Sequence, residues 1–219
     1  MGKTECKGRG EMMSGVIVVG AGGHAKVCIE SMRAMGESVA FCVGDFGSEG
    51  FCAGVPILAG DEQLARLRHE GYARAFIAIG SNRLRERLAE FAVRAGYEIV
   101  SAIHPNAAIS PSARLGAGVA IMAGVVINAE VSIGSLAIVN TSSSIDHDCK
   151  IGTAVHVGPQ CGLAGNVSVG DRSFLGIGSR VIPEIAIGAD VTVGAGSVVI
   201  SDIKDNERVV GVPARPFTR

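Results

Sequence analysis

Tryptophan is absent from this 219-residue chain, and aromatic residues of all kinds make up only 4% of it. A core without large rings must be filled by small and β-branched side chains. Charge of either sign is sparse at 19%, and it balances to a formal −1. No basic stripe is present, which argues against nucleic acid as a partner. The six cysteines (Cys6, Cys28, Cys42, Cys52, Cys149, Cys161) form no CxxC pair and no dense framework. They read as free thiols of a cytoplasmic protein. Long hydrophobic runs are missing too. The longest stretch without Asp, Glu, Lys or Arg, residues 151–170, carries His156, Pro159, Gln160, Asn166 and several glycines, so membrane insertion is not expected. The early apolar run VIVVGAGG is short and Gly-broken and does not read as a signal peptide. Residues 1–13 read as an arm or tag ahead of the fold, with Met12 or Met13 as a start.

Glycine is the residue in excess, with 31 copies. That is about twice the usual share of ~7%. It follows no three-residue period, which excludes collagen, and the chain is too apolar for a disordered tail.

The C-terminal half repeats every six residues. Stepping by six from Ile103 to Val199 meets Ile, Leu or Val seventeen times without a slip. The fourth residue after each is small or β-branched, and the residue directly after the aliphatic is most often Gly. A period of six fits neither a helix nor a simple strand. It fits a β-solenoid in which each hexapeptide makes one short face and one corner, with the aliphatic pointing inward and glycine permitting the turn.

Residues 14–102 alternate differently. Strands are expected at 15–20, 38–43 and 73–80, with helices after residue 23, at 62–69 and at 81–96, which predicts a parallel sheet of about four strands. Of 41 charged residues, 24 lie in 1–102 and only 10 in 103–199, so the domain boundary falls near Ile103. The first turn, with Gly20, Gly22, Gly23, His24 and Ala25, matches G-x-G-x-x-G/A between a strand and a helix. Such a loop offers backbone amides and a helix N-terminus to a pyrophosphate, and Asp45 stands where an acid would meet a ribose or base edge. Taken alone it suggests an NAD-linked oxidoreductase, but the unit is about half a dinucleotide fold and suits a mononucleotide diphosphate better. A binder of nucleotide sugars without activity is a further alternative.

Among five histidines, His69 reads as a solvated helix residue and His104 as structural. His147 stands outward in NTSSSIDHDC, flanked by Asp146 and Asp148. A carboxylate beside an imidazole fixes its tautomer and raises its basicity, which makes His147 a candidate general base. The six-residue period resembles the hexapeptide-repeat family, which implies a coil of three hexapeptides; His156, nine residues on, is then half a coil away and points to the other side of the same chain. The two can share a site only if subunits pack side by side, as in a trimer. Gly165 falls one coil after His147, where its N–H could meet a thioester oxyanion. Cys149 and Cys161 fall on inward positions and read as core. A zinc site is not expected, because the solenoid offers too few histidines.

GAGGHAKV, AIGSN, NTSSSIDHDC, the hexapeptides and the tail GVPAR together resemble the bacterial nucleotide-sugar acetyltransferases of the hexapeptide-repeat family, over about residues 14–215. The resemblance implies a Rossmann-like α/β domain at 14–102, a left-handed parallel β-helix at 103–200, a tail at 201–219 that contributes to coenzyme binding, and a homotrimer with sites at subunit interfaces. It implies acetyl-CoA as co-substrate and the 4-amino group of a UDP- or GDP-linked 4-amino-4,6-dideoxyhexose as acceptor, with sialic acid O-acetylation as the alternative. It gives His147 the role of base, Asp148 that of orienting it, and Gly165 that of oxyanion donor. Gly20, Gly22, Gly23, His24, Asp45, Gly80, Ser81, Asn82 and Asn140 would hold the nucleotide sugar, Asn140 on the same wall as His147. His156, Gly165, Gly176, Ile177, Gly178, Arg180, Gly211, Val212, Pro213 and Ala214 would meet the coenzyme. Relatives acting on UDP-sugars carry two adjacent acids where this chain has Gly44 and Asp45. The lost carboxylate leaves room for a purine and favours a GDP-sugar such as GDP-perosamine.

Overall fold

The computed structural model describes residues 13–44, 50–60 and 62–217, so Asp45 and residues 1–12 of the expected arm lie outside the described residues. The N-terminal unit runs β1 (Val16–Val19), α1 (Gly23–Ala34), β2 (Val39–Val43), β3 (Phe51–Cys52), β4 (Val55–Leu58), α2 (Glu62–His69), β5 (Arg74–Ile77), α3 (Asn82–Arg94) and β6 (Glu98–Ile99). Its sheet has the order β3-β4-β2-β1-β5-β6 and is parallel except for the β3–β4 hairpin. The apolar run VIVV takes the central strand because both its faces are covered, and all four residues are buried.

The sheet is larger than the four strands expected. The extra pair is a tight hairpin at the edge, where Ala53 (φ 47°) and Gly54 (φ 76°) are both left-handed. That backbone suits a two-residue hairpin loop. Pro56 sits in β4 and interrupts the usual strand signature.

From Ala102–Ile103 to Val198–Val199 the chain makes seventeen two-residue strands, each ending on the aliphatic of a hexapeptide. Up to Arg180–Val181 each pairs in parallel with the strand eighteen residues on, so Ile103, Ile121, Val139 and Val157 stack in one column. Three parallel faces result. Face one carries Ile138–Val139, His156–Val157 and Phe174–Leu175; face two carries Ser144–Ile145 and Arg180–Val181; face three carries Lys150–Ile151 and Ser168–Val169. The inward aliphatics form one apolar cluster that continues into the N-terminal unit through Ile29, Met32 and Phe76.

The commonest glycine position has a different cause from the one expected. Where glycine directly follows the aliphatic it is there for close stacking of coils: a Cβ on Gly134 would stand 2.6 Å from the Gly152 carbonyl carbon, and one on Gly170 would stand 2.5 Å from the Ala189 nitrogen. The left-handed backbone falls two residues later, and there Glu130, Asp148, Asn166 and Asp190 adopt it as readily as Gly178 does. Turning is spread over many residue types, while the position after the aliphatic is glycine in every coil of face three and carries larger residues such as Asn128 and Asp146 on face two.

The tail continues the solenoid. Arg208–Val210 pairs in parallel with Thr192–Val193 on face one, and Arg215–Pro216 then folds back antiparallel to it. Among the described residues, no helix is long and apolar enough to cross a membrane. Cys28, Cys42, Cys52, Cys149 and Cys161 are buried free thiols.

Candidate active site

β1 and β5 are adjacent, but the chain leaves β1 toward β2 on one side and returns to β5 on the other. Ligands of open parallel sheets bind at such a reversal, beyond the carboxyl ends of the strands. The turns at residues 20–23 and 80–82 both sit there. Gly20 is required for packing: φ is +118°, and a Cβ would lie 2.7 Å from the Ala78 carbonyl oxygen. Gly22 and Gly23 have open space where a Cβ would go, and no side chain caps the N-terminus of α1. The first amides of α1 are thus free for an anion.

His24 follows in the first turn of α1, with Nε2 3.4 Å from Cys28 Sγ. His156 reaches toward it from face one, the ring centroids 6.3 Å apart. Asn140 Nδ2 lies 3.3 Å from His156 Nε2, and Phe174 meets the His156 ring edge-on at 5.2 Å. Burial, then the Arg85 guanidinium, pushes His24 down to about 4. Burial, Arg85 and His24 do the same to His156. Both rings are therefore neutral near pH 7. His156, assigned from sequence to the coenzyme, stands against the nucleotide domain, and it brings Asn140 with it. Asn140 does not share a wall with His147: it occupies the corner between faces one and two, and His147 the corner between faces two and three.

At that second corner His147 Nδ1 is 2.8 Å from Asp148 Oδ2, with both side chains about half exposed. Asp146 Oδ1 accepts the His147 backbone N–H at 2.8 Å and an Asn128 Nδ2 proton at 2.8 Å. The hydrogen bond that His147 Nδ1–H donates to Asp148 holds the His147 pKa above its ordinary value, helped by the charge of Asp146. Asn128 holds Asp146 below the usual carboxylate range. Nε2 is left to work, lying over Gly165 one coil on. The amide of Gly165 makes no hydrogen bond among the described residues.

The remaining expected residues gather at the corner between faces one and two and along face two. The tail closes over the corner: Gly211 N–H donates to Ser197 Oγ at 3.1 Å, and Ala214 N–H donates to the Val198 carbonyl at 2.8 Å. This brings residues 211–214 beside the column of Gly176, Gly178 and Gly196, with Ile177 and Val212 exposed. Arg180 is turned back onto the carbonyls of Gln160, Gly178 and Ser179. It borders a depression of about 420 Å³ shared with Asn128, Asp146, Gly162 and Ala164.

Sequence reasoning missed Arg85, Asn128 and Phe174, and it read Asn82 differently. The Asn82 amide donates to the carbonyls of Arg172 and Ser173, at 2.8 and 3.2 Å, so its side chain is engaged by the solenoid. Ser81 is the N-cap of α3 but makes no side-chain cap bond. Arg85 had a legible signal. It lies on the stripe of α3 that buries Ala89 and Ala92, where an apolar residue is normal.

Known proteins match both halves. Residues 15–91 fit the family described as PglD N-terminal domain. The fold superposes on PerB from Caulobacter crescentus, solved in complex with CoA and GDP-perosamine, at a TM-score of 0.91 and 53% identity, covering 94% of this chain and 98% of that one. The chain belongs to the hexapeptide-repeat nucleotide-sugar N-acetyltransferases. A second member of that family, the acetyltransferase domain of PglB from Neisseria gonorrhoeae in complex with acetyl coenzyme A, is 36% identical over 93% of this chain and 99% of its own, with a TM-score of 0.87. The GDP-perosamine N-acetyltransferase of Escherichia coli O157:H7 is 30% identical over 148 residues, which is 65% of this chain and 67% of that protein. Serine acetyltransferases also match, but this chain spans only 21% of the Arabidopsis thaliana protein and 35% of the Mycobacterium tuberculosis one. The corner at His147 brings together an imidazole with a carboxylate partner and, one coil on, a backbone amide that has no hydrogen-bond partner among the described residues.

Proposed function

We propose that the protein is an acetyl-CoA-dependent N-acetyltransferase that acts on the 4-amino group of a GDP-linked 4-amino-4,6-dideoxyhexose, with GDP-perosamine the first choice, in the cytoplasm. The observation that carries this reading is the pair of His147 and Asp148 over Gly165 in a chain 53% identical to PerB, which was solved with CoA and GDP-perosamine. The same Caulobacter enzyme was also solved with one histidine replaced by asparagine. That a histidine there was chosen for replacement supports a histidine base here.

In the proposed step the free amine attacks the acetyl carbonyl. A C–N bond forms as the C–S bond breaks. His147 Nε2 takes the ammonium proton and passes it to the departing CoA thiolate, while Asp148 holds Nδ1 and steadies the imidazolium. The Gly165 amide donates to the oxyanion.

The assembly proposed is a trimer of left-handed β-helices with sites between neighbours. Face one, with His24 and His156, lies opposite the corner that carries His147, so a sugar diphosphate held at the first cannot reach the second on the same chain. A neighbour turning its His147 corner toward face one closes the site, and a closed three-fold ring repeats that contact three times. The tail, Gly178 and Ile177 then border the same cleft and are assigned to the coenzyme.

The test is release of free thiol from acetyl-CoA against GDP-perosamine, UDP-linked 4-amino sugars and CMP-sialic acid. Turnover with GDP-perosamine at least tenfold above the others is expected. Preference for a UDP-sugar would move the base assignment, and turnover with CMP-sialic acid alone would sink the amine reading.

A further inference from the structure

Arg85 is 1% exposed, among the most deeply buried side chains in the protein. Its guanidinium has five N–H groups, and acceptors surround it. Nε donates to the Leu136 carbonyl at 2.8 Å. Nη1 donates to the carbonyls of Ile79 and Gly80, at 2.8 and 3.2 Å. Nη2 donates to Asn82 Oδ1 at 2.9 Å and to the Ala154 carbonyl at 2.8 Å, with the Val155 carbonyl at 3.5 Å. None of these acceptors is a carboxylate. Burying an unpaired cation is costly unless every donor is satisfied, and this site satisfies them with backbone carbonyls from both domains and the Asn82 side-chain oxygen. Burial lowers the pKa only to about 10, so the group stays charged at neutral pH.

The acceptors are placed unevenly. Two belong to the carboxyl end of β5, at the crevice. Two belong to Ala154 and Val155, immediately before His156. One planar group therefore fixes the backbone at residue 80 against the backbone at residue 155. The surface ion pairs that also cross the joint, from Arg83 to Asp190 and from Arg172 to Glu86, are exposed or long and contribute little by comparison.

We propose that Arg85 is a positioning residue for the nucleotide sugar: it locks the turn at residues 80–82 onto the solenoid so that the diphosphate crevice and the His156 column keep one register. This rests on the function proposed above. A lysine would keep the charge but not the fork, since it offers three donors from one point and cannot bridge both backbones.

The test compares wild type with Arg85→Lys and Arg85→Met by thermal midpoint, by KM for each substrate and by amide hydrogen exchange. Arg85→Lys is expected to fold, to raise KM for the nucleotide sugar at least tenfold, to leave KM for acetyl-CoA within twofold, and to speed exchange at residues 80–82 while α2 is unchanged. Equal shifts in both KM values would reduce Arg85 to general scaffolding and overturn the proposal. Unchanged exchange at residues 80–82 would overturn it as well. Arg85→Met serves as the limiting case, and if it does not fold, Arg85→Lys decides alone. If wild type turns over no nucleotide sugar, the proposed function has failed, and the exchange measurement still decides whether Arg85 holds the turn.

Discussion

The His147 ring lies across Gly165 so closely that a Cβ on residue 165 would stand 2.5 Å from Cε1 and 2.6 Å from Nε2. Glycine is there for the ring rather than for the backbone, since residue 165 is not among the positions of positive φ. A methyl group must push the imidazole off its seat, and with it the Nε2 that takes the proton. Gly165→Ala is expected to lower kcat at least tenfold while KM for acetyl-CoA changes less than threefold. Steady-state thiol release checks this, and wild-type kcat in that variant would remove the argument.

His147→Asn is expected to lower kcat by tenfold or more, because general-base assistance is typically worth 10²–10⁴. KM for acetyl-CoA should change little, since the ring meets the reacting amine rather than the coenzyme's nucleotide. Near wild-type turnover would refute the base assignment.

Asp148 sets the pH at which that base works. Its hydrogen bond holds the His147 pKa above the ordinary 6.5. The base is lost as pH falls through that raised value, so the acid limb of kcat should sit above 6.5 in wild type. Asp148→Asn removes the main cause of the rise. The acid limb is expected to move to lower pH, with a lower plateau because the ring is less well oriented. A pH profile of kcat at saturating substrates reads both effects, and an unmoved limb would show that another group controls it.

The neutral pair His24 and His156 makes stability depend on pH. Each titrates near 4 in the fold against the ordinary 6.5 of an unfolded chain. Between those values the unfolded chain binds more protons than the folded one, so stability rises with pH across roughly 4 to 6.5 and is complete above it. The shift corresponds to about 3 kcal/mol per ring at 1.36 kcal/mol per pH unit. The thermal midpoint should fall between pH 7.5 and pH 5, and His156→Gln should fall less. Equal falls in the two proteins would mean that other groups carry the dependence.

Much of this was legible in the sequence for a physical reason. One inward aliphatic every six residues seats each strand, so the period alone gave all seventeen strands, and the family resemblance added the register of eighteen between coils. The nine residues between His147 and His156 likewise placed them on opposite sides of the prism. What the period cannot report is contact with the other domain. Asn140 was put on the His147 wall because both lie in one motif, although a corner separates them. Asn82 was assigned to the nucleotide sugar by family resemblance but spends its amide on solenoid carbonyls. The β3–β4 hairpin was hidden because a two-residue strand beside Gly54 and Pro56 has no periodicity to read. Arg85 stood on the buried stripe of α3, but most of its partners are backbone carbonyls, which leave no mark in sequence.

The separation of His147 from the nucleotide crevice gives the most direct test of the assembly. Consider one chain carrying His147→Asn and another carrying Gly22→Glu. Gly22 has open space at its Cβ and φ −80°, so the second chain should fold. An acidic residue at the N-terminus of α1 is even favourable to the helix, but it repels a diphosphate from the free amides. Each chain alone should keep a tenth of wild-type turnover or less. If a site takes its base from one subunit and its nucleotide crevice from the next, randomly mixed trimers place an intact half beside an intact half in about a quarter of sites. Co-expressed chains should therefore recover about a quarter of wild-type activity per site. Were both halves drawn from one chain, no mixture could contain a complete site. Recovery of nothing from properly assembled mixed oligomers would place the whole reaction within a single subunit.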